Sequence, residues 1–293
     1  MKQFLFAALA VAATFCVHAA PVTISSTNFD GFTNGTVNGQ GGWGVTGGYD
    51  QEVVDLGGGN KALRLSNKTT SSSFGDMPFA PRPGGQPANT VGNPSNSLPG
   101  FFAGETSTGA GFNKFIGSFD FRSVLDTVDT GARITISPDN GTGGRQGFVA
   151  LRSTPAGVAI DTLDVNGLGQ FVGPTTTGTV TLATWHTIRY EILFNDGVDN
   201  DVASIFLDNA LIATVGSWED FYTVSQPLVH PLGVPVQTFL FRVSGNAAPD
   251  AQGFYIDNVK VQLDNVGQVP EPGTLALALL ALIGLTFMRR RRT

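Results

Sequence analysis

The feature that most limits what this chain can fold into is its period. Between residues 20 and 269 no stretch carries apolar side chains at sustained spacings of three and four, as an amphipathic helix requires. Short runs alternating apolar and polar recur instead, cut by clusters of Gly, Pro, Asn and Asp. Phe115, Gly117, Phe119 and Phe121 alternate with Ile116, Ser118, Asp120 and Arg122, which predicts a strand with a buried Phe face and a polar face turned out. Residues 133–137, 148–152 and 158–163 read as further short strands, separated by the turns Pro138-Asp139-Asn140-Gly141 and Pro155-Ala156-Gly157. Residues 51–54 and 62–66 read as a hairpin across a glycine-rich turn at 55–60. The expected class is all-β, two sheets packed as a sandwich.

The clearest hairpin pairs residues 185–194 with 202–207. His186, Ile188, Tyr190, Ile192 and Phe194 share one face, and Thr187, Arg189 and Glu191 the solvent face. The run Trp185-His186-Thr187-Ile188, an acidic turn, then Ile205-Phe206-Leu207-Asp208-Asn209 with Leu211-Ile212 resembles the laminin-G-like and concanavalin-A-like jelly-roll sandwiches. Asn209 stands where that pattern has Gly, and a type I′ turn tolerates Asn there. Residues 254–261, Phe-Tyr-Ile-Asp-Asn-Val-Lys-Val, resemble the closing strand of the same family. The resemblance implies a jelly-roll β-sandwich over residues 28–264, with Phe29-Asp30-Gly31-Phe32 near the closing strand.

The last twenty-five residues are of another kind. Pro270-Glu271-Pro272 gives an extended, unpaired backbone; an apolar run rich in Leu and Ala follows over 273–288; Arg289, Arg290, Arg291 and Arg292 close the segment. As a helix, sixteen residues reach about 24 Å against about 30 Å of bilayer hydrocarbon, so this is a short transmembrane helix whose arginines snorkel to the cytoplasmic side. The triplet, the helix and the arginine cluster resemble the PEP-CTERM sorting signal of exosortase substrates. That resemblance implies export through the inner membrane of a Gram-negative bacterium, a transient C-terminal anchor, cleavage by exosortase near the triplet, and delivery to the cell surface or extracellular matrix.

At the other end, Lys2 and the apolar run 4–15 read as a secretory signal peptide, cut by signal peptidase after Ala19 or Ala20. Cys16, the only cysteine, falls inside it, so thiol catalysis and thiolate metal sites are excluded from the body. The expected organisation is a signal peptide over 1–19, one β-sandwich domain over 20–268 and the sorting segment over 269–293. The whole chain is −6, but five of its seventeen basic residues lie in the processed ends; twelve against twenty-three acids, counting Glu271 beside the cut, put the processed chain near −11. Such a body is a poor partner for nucleic acid or anionic membrane and favours neutral glycans or a cation-bridged matrix.

Candidate chemistry is sparse. Asn195-Asp196-Gly197-Val198-Asp199-Asn200-Asp201 gathers hard oxygen ligands, and Asp196, Asp199 and Asp201 are weak candidates for Ca²⁺; a polar hairpin turn is the plainer reading. The five glutamates, Glu52, Glu105, Glu191, Glu219 and Glu271, lack the Glu-x-Asp-x-Glu run that hydrolases of this fold carry. Polysaccharide lyases of this fold use a His with a Tyr. His186 reads as a packing residue, His230 sits in a proline-bounded loop, and neither has a Tyr at a telling spacing. No catalytic residue is assigned. Trp43, Trp218, Tyr222, Phe101 and Phe102 are candidate platforms for a sugar, with Trp43 more simply a plug at the sandwich edge. The proline-rich stretch 75–100 is expected to be a long loop. The sequence thus points to an exported, non-enzymatic, carbohydrate-binding or structural protein of an exopolysaccharide matrix, with a polysaccharide-active enzyme as the alternative.

Overall fold

A computed structural model of the protein describes residues 20–47, 50–70, 77–82, 100–230, 232–243 and 247–266. The expected signal peptide with Ala19, the sorting segment with Pro270, Glu271, Pro272 and the arginine cluster, and most of the 75–100 stretch lie outside the described residues. No helix among the described residues is long and apolar enough to cross a membrane.

Among the described residues fifteen strands build the body, Pro21–Asn265. In chain order they are β1 (Val22–Thr27), β2 (Gly44–Thr46), β3 (Asp50–Gly57), β4 (Asn60–Ser66), β5 (Met77–Phe79), β6 (Lys114–Ser123), β7 (Arg133–Asp139) and β8 (Val149–Thr154). Then follow β9 (Gly157–Val165), β10 (Phe171–Val180), β11 (His186–Leu193), β12 (Val202–Leu207), β13 (Ala210–Val215), β14 (Thr238–Arg242) and β15 (Phe254–Asp264). One sheet of eight strands runs β13-β12-β11-β6-β15-β4-β3, with β1 also pairing β15; the other, of seven, runs β10-β9-β8-β7-β14-β5-β2. The fold is an all-β jelly-roll sandwich.

The core lies between the sheets and is built by alternation. Phe115, Phe119 and Phe121 of β6 point inward, as do Phe239 and Phe241 of β14 on the facing sheet. Phe239 meets Phe115 edge-on at 5.5 Å and Phe119 at 5.7 Å, locking the two layers together. The missing Phe in that row, Gly117, sits opposite Tyr190 in the register, and a Cβ there would collide with the Phe239 ring. Glycine is therefore required by packing at this position.

The expected strands are present with longer bounds, and β11 pairs β12 from Ile188↔Leu207 to Leu193↔Val202. Asp208 and Asn209 both take positive φ, 48° and 69°, as the I′ turn demands. Two differences matter. Met77–Phe79 is a strand inside the stretch expected to be loop, held by β2 and β14. Phe29-Asp30-Gly31-Phe32 is not itself paired to the closing strand; β1, just before it, is. Trp43 is core, 1% exposed between Phe29 and Phe241, and so is removed from the sugar platforms.

Candidate functional site

The outer face of the seven-stranded sheet follows from its inner one. Ile134 and Ile136 fill the core, so Arg133 and Thr135 of β7 face outward; Phe239 and Phe241 fill it from β14, so Arg242 faces outward too. The ladder places Arg242 directly opposite Thr135, and the Thr135 hydroxyl donates to the Arg242 carbonyl at 3.4 Å. Leu163 of β9 and Phe171 of β10 complete the floor and one margin.

The opposite wall comes from the segment after β13. Trp218 and Tyr222 are 4% and 7% exposed, and Phe221–Ser225 makes one wide helical turn. Three bonds pin this segment to the sheet. The Arg145 backbone N–H donates to the Tyr222 hydroxyl at 2.9 Å, Trp218 Nε1 donates to the Leu163 carbonyl at 3.4 Å, and Ser225 Oγ donates to the Gly169 carbonyl at 2.9 Å. Behind it, Gln146 Nε2 donates to Glu219 Oε2 at 2.5 Å and to the Val234 carbonyl at 2.7 Å. Aromatic rings close the wall: Phe171 meets Trp218 at 4.8 Å and Phe221 at 4.7 Å, and Phe148 meets Trp218 at 5.7 Å.

The result is an open cleft of about 530 Å³, lined by Arg133, Thr135, Arg145, Phe148, Leu163, Phe171, Trp218, Phe221, Tyr222, Gln226 and Arg242. Its size is that of small-ligand sites, with an apolar lining and a few convergent polar groups. Arg145 lies over the Trp218 ring at 5.6 Å. Burial pushes the Tyr222 phenol up to about 12.

Of the residues singled out by sequence, Trp218 and Tyr222 come together here. Phe101 packs on Phe112 at 6.5 Å, and neither Phe101 nor Phe102 lines the cleft. His186 packs in its strand as expected, its Nδ1 2.7 Å from Asp208 Oδ2. His230 needs a correction: eight positions from Tyr222, it meets that ring edge to face at 5.0 Å, because the helical turn and the loop after it fold the chain back. The arginines were missed. They stand on strands and a loop distant in sequence, and β14 was not recognised as a strand.

The turn 195–201 is hydrogen-bonded inward. Asp196 Oδ1 accepts the Thr106 N–H at 2.7 Å, Asp201 accepts the Asn195 N–H at 2.8 Å and the Ser217 hydroxyl at 2.6 Å, and Asp199 donates its N–H to Asp220 at 2.9 Å. Among the described residues no three His, Cys, Asp or Glu side chains are arranged to hold a metal. The neighbouring acids share a small cavity; burial, then Glu105 and another close carboxylate, pushes Asp201 up to about 6 and Glu219 up to about 8.

The PEP-CTERM protein-sorting motif family matches residues 268–292. The chain carries a PEP-CTERM sorting signal. A PEP-CTERM protein is exported and held at the membrane by its C-terminus until exosortase cuts it. No curated protein is similar in sequence over this chain. Among solved structures, a double mutant of alginate lyase Aly36B in complex with alginate tetrasaccharide covers 85% of this chain and 100% of its own, at 15% identity and a TM-score of 0.50. That likeness is one of fold. Domain 4 of AbnA, a GH43 extracellular arabinanase from Geobacillus stearothermophilus, in complex with arabinotriose, covers 83% and 93% at 10% identity and a TM-score of 0.42. An endo-β-1,4-glucuronan lyase from Trichoderma reesei covers 83% and 96% at 15% identity and a TM-score of 0.42.

Proposed function

We propose that this is a surface or matrix protein of a Gram-negative bacterium, released from its anchor by exosortase, whose body holds polysaccharide chains of an extracellular matrix without breaking them. The observation that carries the reading is the open cleft. Phe171, 44% exposed at the cleft margin, offers an apolar surface to a sugar ring, and Thr135, Gln226 and the guanidinium groups offer hydrogen bonds to its substituents. Its open form suits a chain that runs through instead of ending in a pocket.

A lyase is the second reading, and the contact of Tyr222 with His230 is what favours it. β-Elimination needs a base to remove a proton and an acid for the leaving oxygen. A phenol held up at about 12 stays protonated near neutral pH and is no base. Its oxygen already accepts the Arg145 N–H, and His230 meets it through ring edges. The pair has an acid and lacks a base in line with it, so binding without turnover is the better account.

The test incubates the full chain with matrix polysaccharides and follows both retention and the ultraviolet absorbance of unsaturated chain ends. Retention with no new absorbance is expected. Absorbance that grows with time and disappears in Tyr222→Phe would make the protein a lyase. Absence of retention on every polysaccharide would remove the glycan-binding reading. For sorting, deleting exosortase in the host should leave the protein at the membrane at its uncut size; normal release would overturn that half.

A further inference from the structure

Behind the aromatic wall of the cleft lies a knot of buried acids that the glycan-binding reading does not use. Glu105, Asp201, Glu219 and Asp220 come to it from three segments far apart in the chain. Glu105, Glu219 and Asp220 are buried, and Asp201, Glu219 and Asp220 line one small cavity with Asp199 and Ser217. Uncharged donors hold all four. Glu105 accepts the Gly197 N–H at 3.1 Å and the Ser107 hydroxyl at 3.2 Å. Asp201 accepts the Ser217 hydroxyl, Asp220 the Asp199 N–H, and Glu219 Oε2 the Gln146 amide and, at 3.4 Å, the Val234 N–H. Glu219 Oε1 is buried with no hydrogen-bond partner and lies against Gly233, where a Cβ would fall on it.

We propose that this knot is a proton-held latch for the cleft wall: with Glu219 protonated, residues 217–230 stay seated on the 195–201 turn and on Gln146, and loss of that proton lets them lift. An ionised carboxylate buried with one oxygen unpaired is unfavourable, and more carboxylates beside it make it more so; a protonated one meets neither penalty. Lifting the segment returns the acids to water, where they ionise freely. The segment is lightly held. Ser217, Trp218, Asp220 and Ser225 tie it to Asp201, Leu163, Asp199 and Gly169, and two of these four ties run through acids of the knot. Past Ser225, Leu228 and Val229 stand out in solvent, so little apolar contact keeps that end down.

The acids around Glu219 work against its charge. Glu105 and Asp201 act on it directly, Asp196 and Asp220 act on Glu105, and Asp199 acts on Asp220. On the cleft side stand Tyr222, His230, Arg145 and Asp139. Glu219 bears on the Tyr222 phenol, His230 meets that ring, and Arg145 lies over Trp218 and attracts Asp139. Burial, then Glu105 and Asp201, outweighs the bonds from Val234 and Gln146 and raises Glu219 to about 8, above its ordinary 4.5. The closed wall therefore holds the proton more tightly than the open one. The latch is fully set below the ordinary value and releases as pH rises toward 8; Asp201, raised to about 6, adds to it over the lower part of that range.

The test follows backbone hydrogen exchange along the full chain at pH 6 and pH 9, corrected for the intrinsic pH dependence of exchange. Protection of residues 217–230 is expected to fall at least tenfold at pH 9 while β6 and β15 keep theirs. Glu219→Gln keeps the shape and cannot ionise, so it should hold the segment closed at both pH values; Asp201→Asn should reduce the change. Equal protection at both pH values in the unaltered chain overturns the latch without recourse to any variant. A loss that Glu219→Gln leaves in place overturns it too, as does one shared by β6 and β15. Exchange needs no glycan, so the latch is decided even where the glycan-binding reading fails. Its consequence for a ligand rests on that reading: a retained polysaccharide should leave at least tenfold faster at pH 9 than at pH 6, and Glu219→Gln should abolish the difference.

Discussion

The outer faces of the two sheets distribute their arginines differently. On the eight-stranded sheet Arg64 lies 2.7 Å from both Asp50 and Glu52, and Lys114 lies 2.8 Å from Glu191. Arg122 is sandwiched between Trp185 at 5.3 Å and Tyr255 at 5.1 Å, and Arg189 covers the Phe206 ring at 3.8 Å. Each cation is matched by something in the same sheet. On the seven-stranded sheet Arg152 pairs with Asp161, and the cleft beside it gathers Arg133, Arg145 and Arg242 into one lining, with Arg145 over the Trp218 ring. A face that matches its own charges is built for stability. A face that gathers cations beside aromatic rings in a cleft is where the glycan-binding proposal is tested.

Four substitutions sharpen or break that contrast. The largest effect is expected from Trp218→Ala, which removes a buried ring that Phe148, Phe171 and Arg145 all touch. Chemical denaturation should show a loss of about 3–5 kcal/mol, with glycan binding lost as well. Next is Glu219→Gln. Burial raises this carboxyl to about 8, so the folded state keeps a proton that the unfolded chain releases near its ordinary value of 4.5. Its contribution is fully present below the unfolded value and is lost as pH rises toward 8. The isosteric amide should therefore stabilise the protein at pH 8 by about 2 kcal/mol and hardly at all at pH 4, read from unfolding midpoints at both. Equal effects at the two pH values would refute the assignment.

Gln226→Glu puts a carboxylate into the cleft without changing its shape. Polysaccharide affinity should fall about tenfold, about 1.4 kcal/mol, with unfolding unchanged. If affinity holds, Gln226 is not part of the binding surface. The smallest effect is expected from Arg64→Gln on the matched face, about 0.5–1 kcal/mol in stability and none in binding. A loss of binding there would erase the distinction between the two faces.

The sequence shows the fold more readily than the site, for physical reasons visible in particular residues. Alternation along β6 and β11 is local, and so were their faces. The turn at Asp208 and Asn209 is a two-residue decision. β10 was hidden because Gly173 and Pro174 interrupt it, which an edge strand tolerates. β14 was hidden because Thr238–Arg242 is five residues long and mostly apolar, giving too little alternation to see. Missing β14 meant missing the cleft, since Thr135 and Arg242 are 107 positions apart and meet only across that ladder. The net charge could not show the arginines of the cleft, because a sum over the body carries no information about where its signs collect. The aromatic candidates divided along the same line. Trp43 and Trp218 look alike in sequence, and only the tertiary structure sends one to the core and the other to the cleft wall.

The closing strand has a mechanical consequence. β15 is the last element before the sorting motif, and it lies inside its sheet, bonded to β6 along one edge and to β1 and β4 along the other. A strand gripped on both edges and pulled lengthwise must shear many hydrogen bonds at once, where a hairpin at a margin would peel one bond at a time. β15 is therefore gripped on both edges where the described body ends. That strand ends at Asp264, ahead of the matched motif, so cutting the tail leaves the sheet whole.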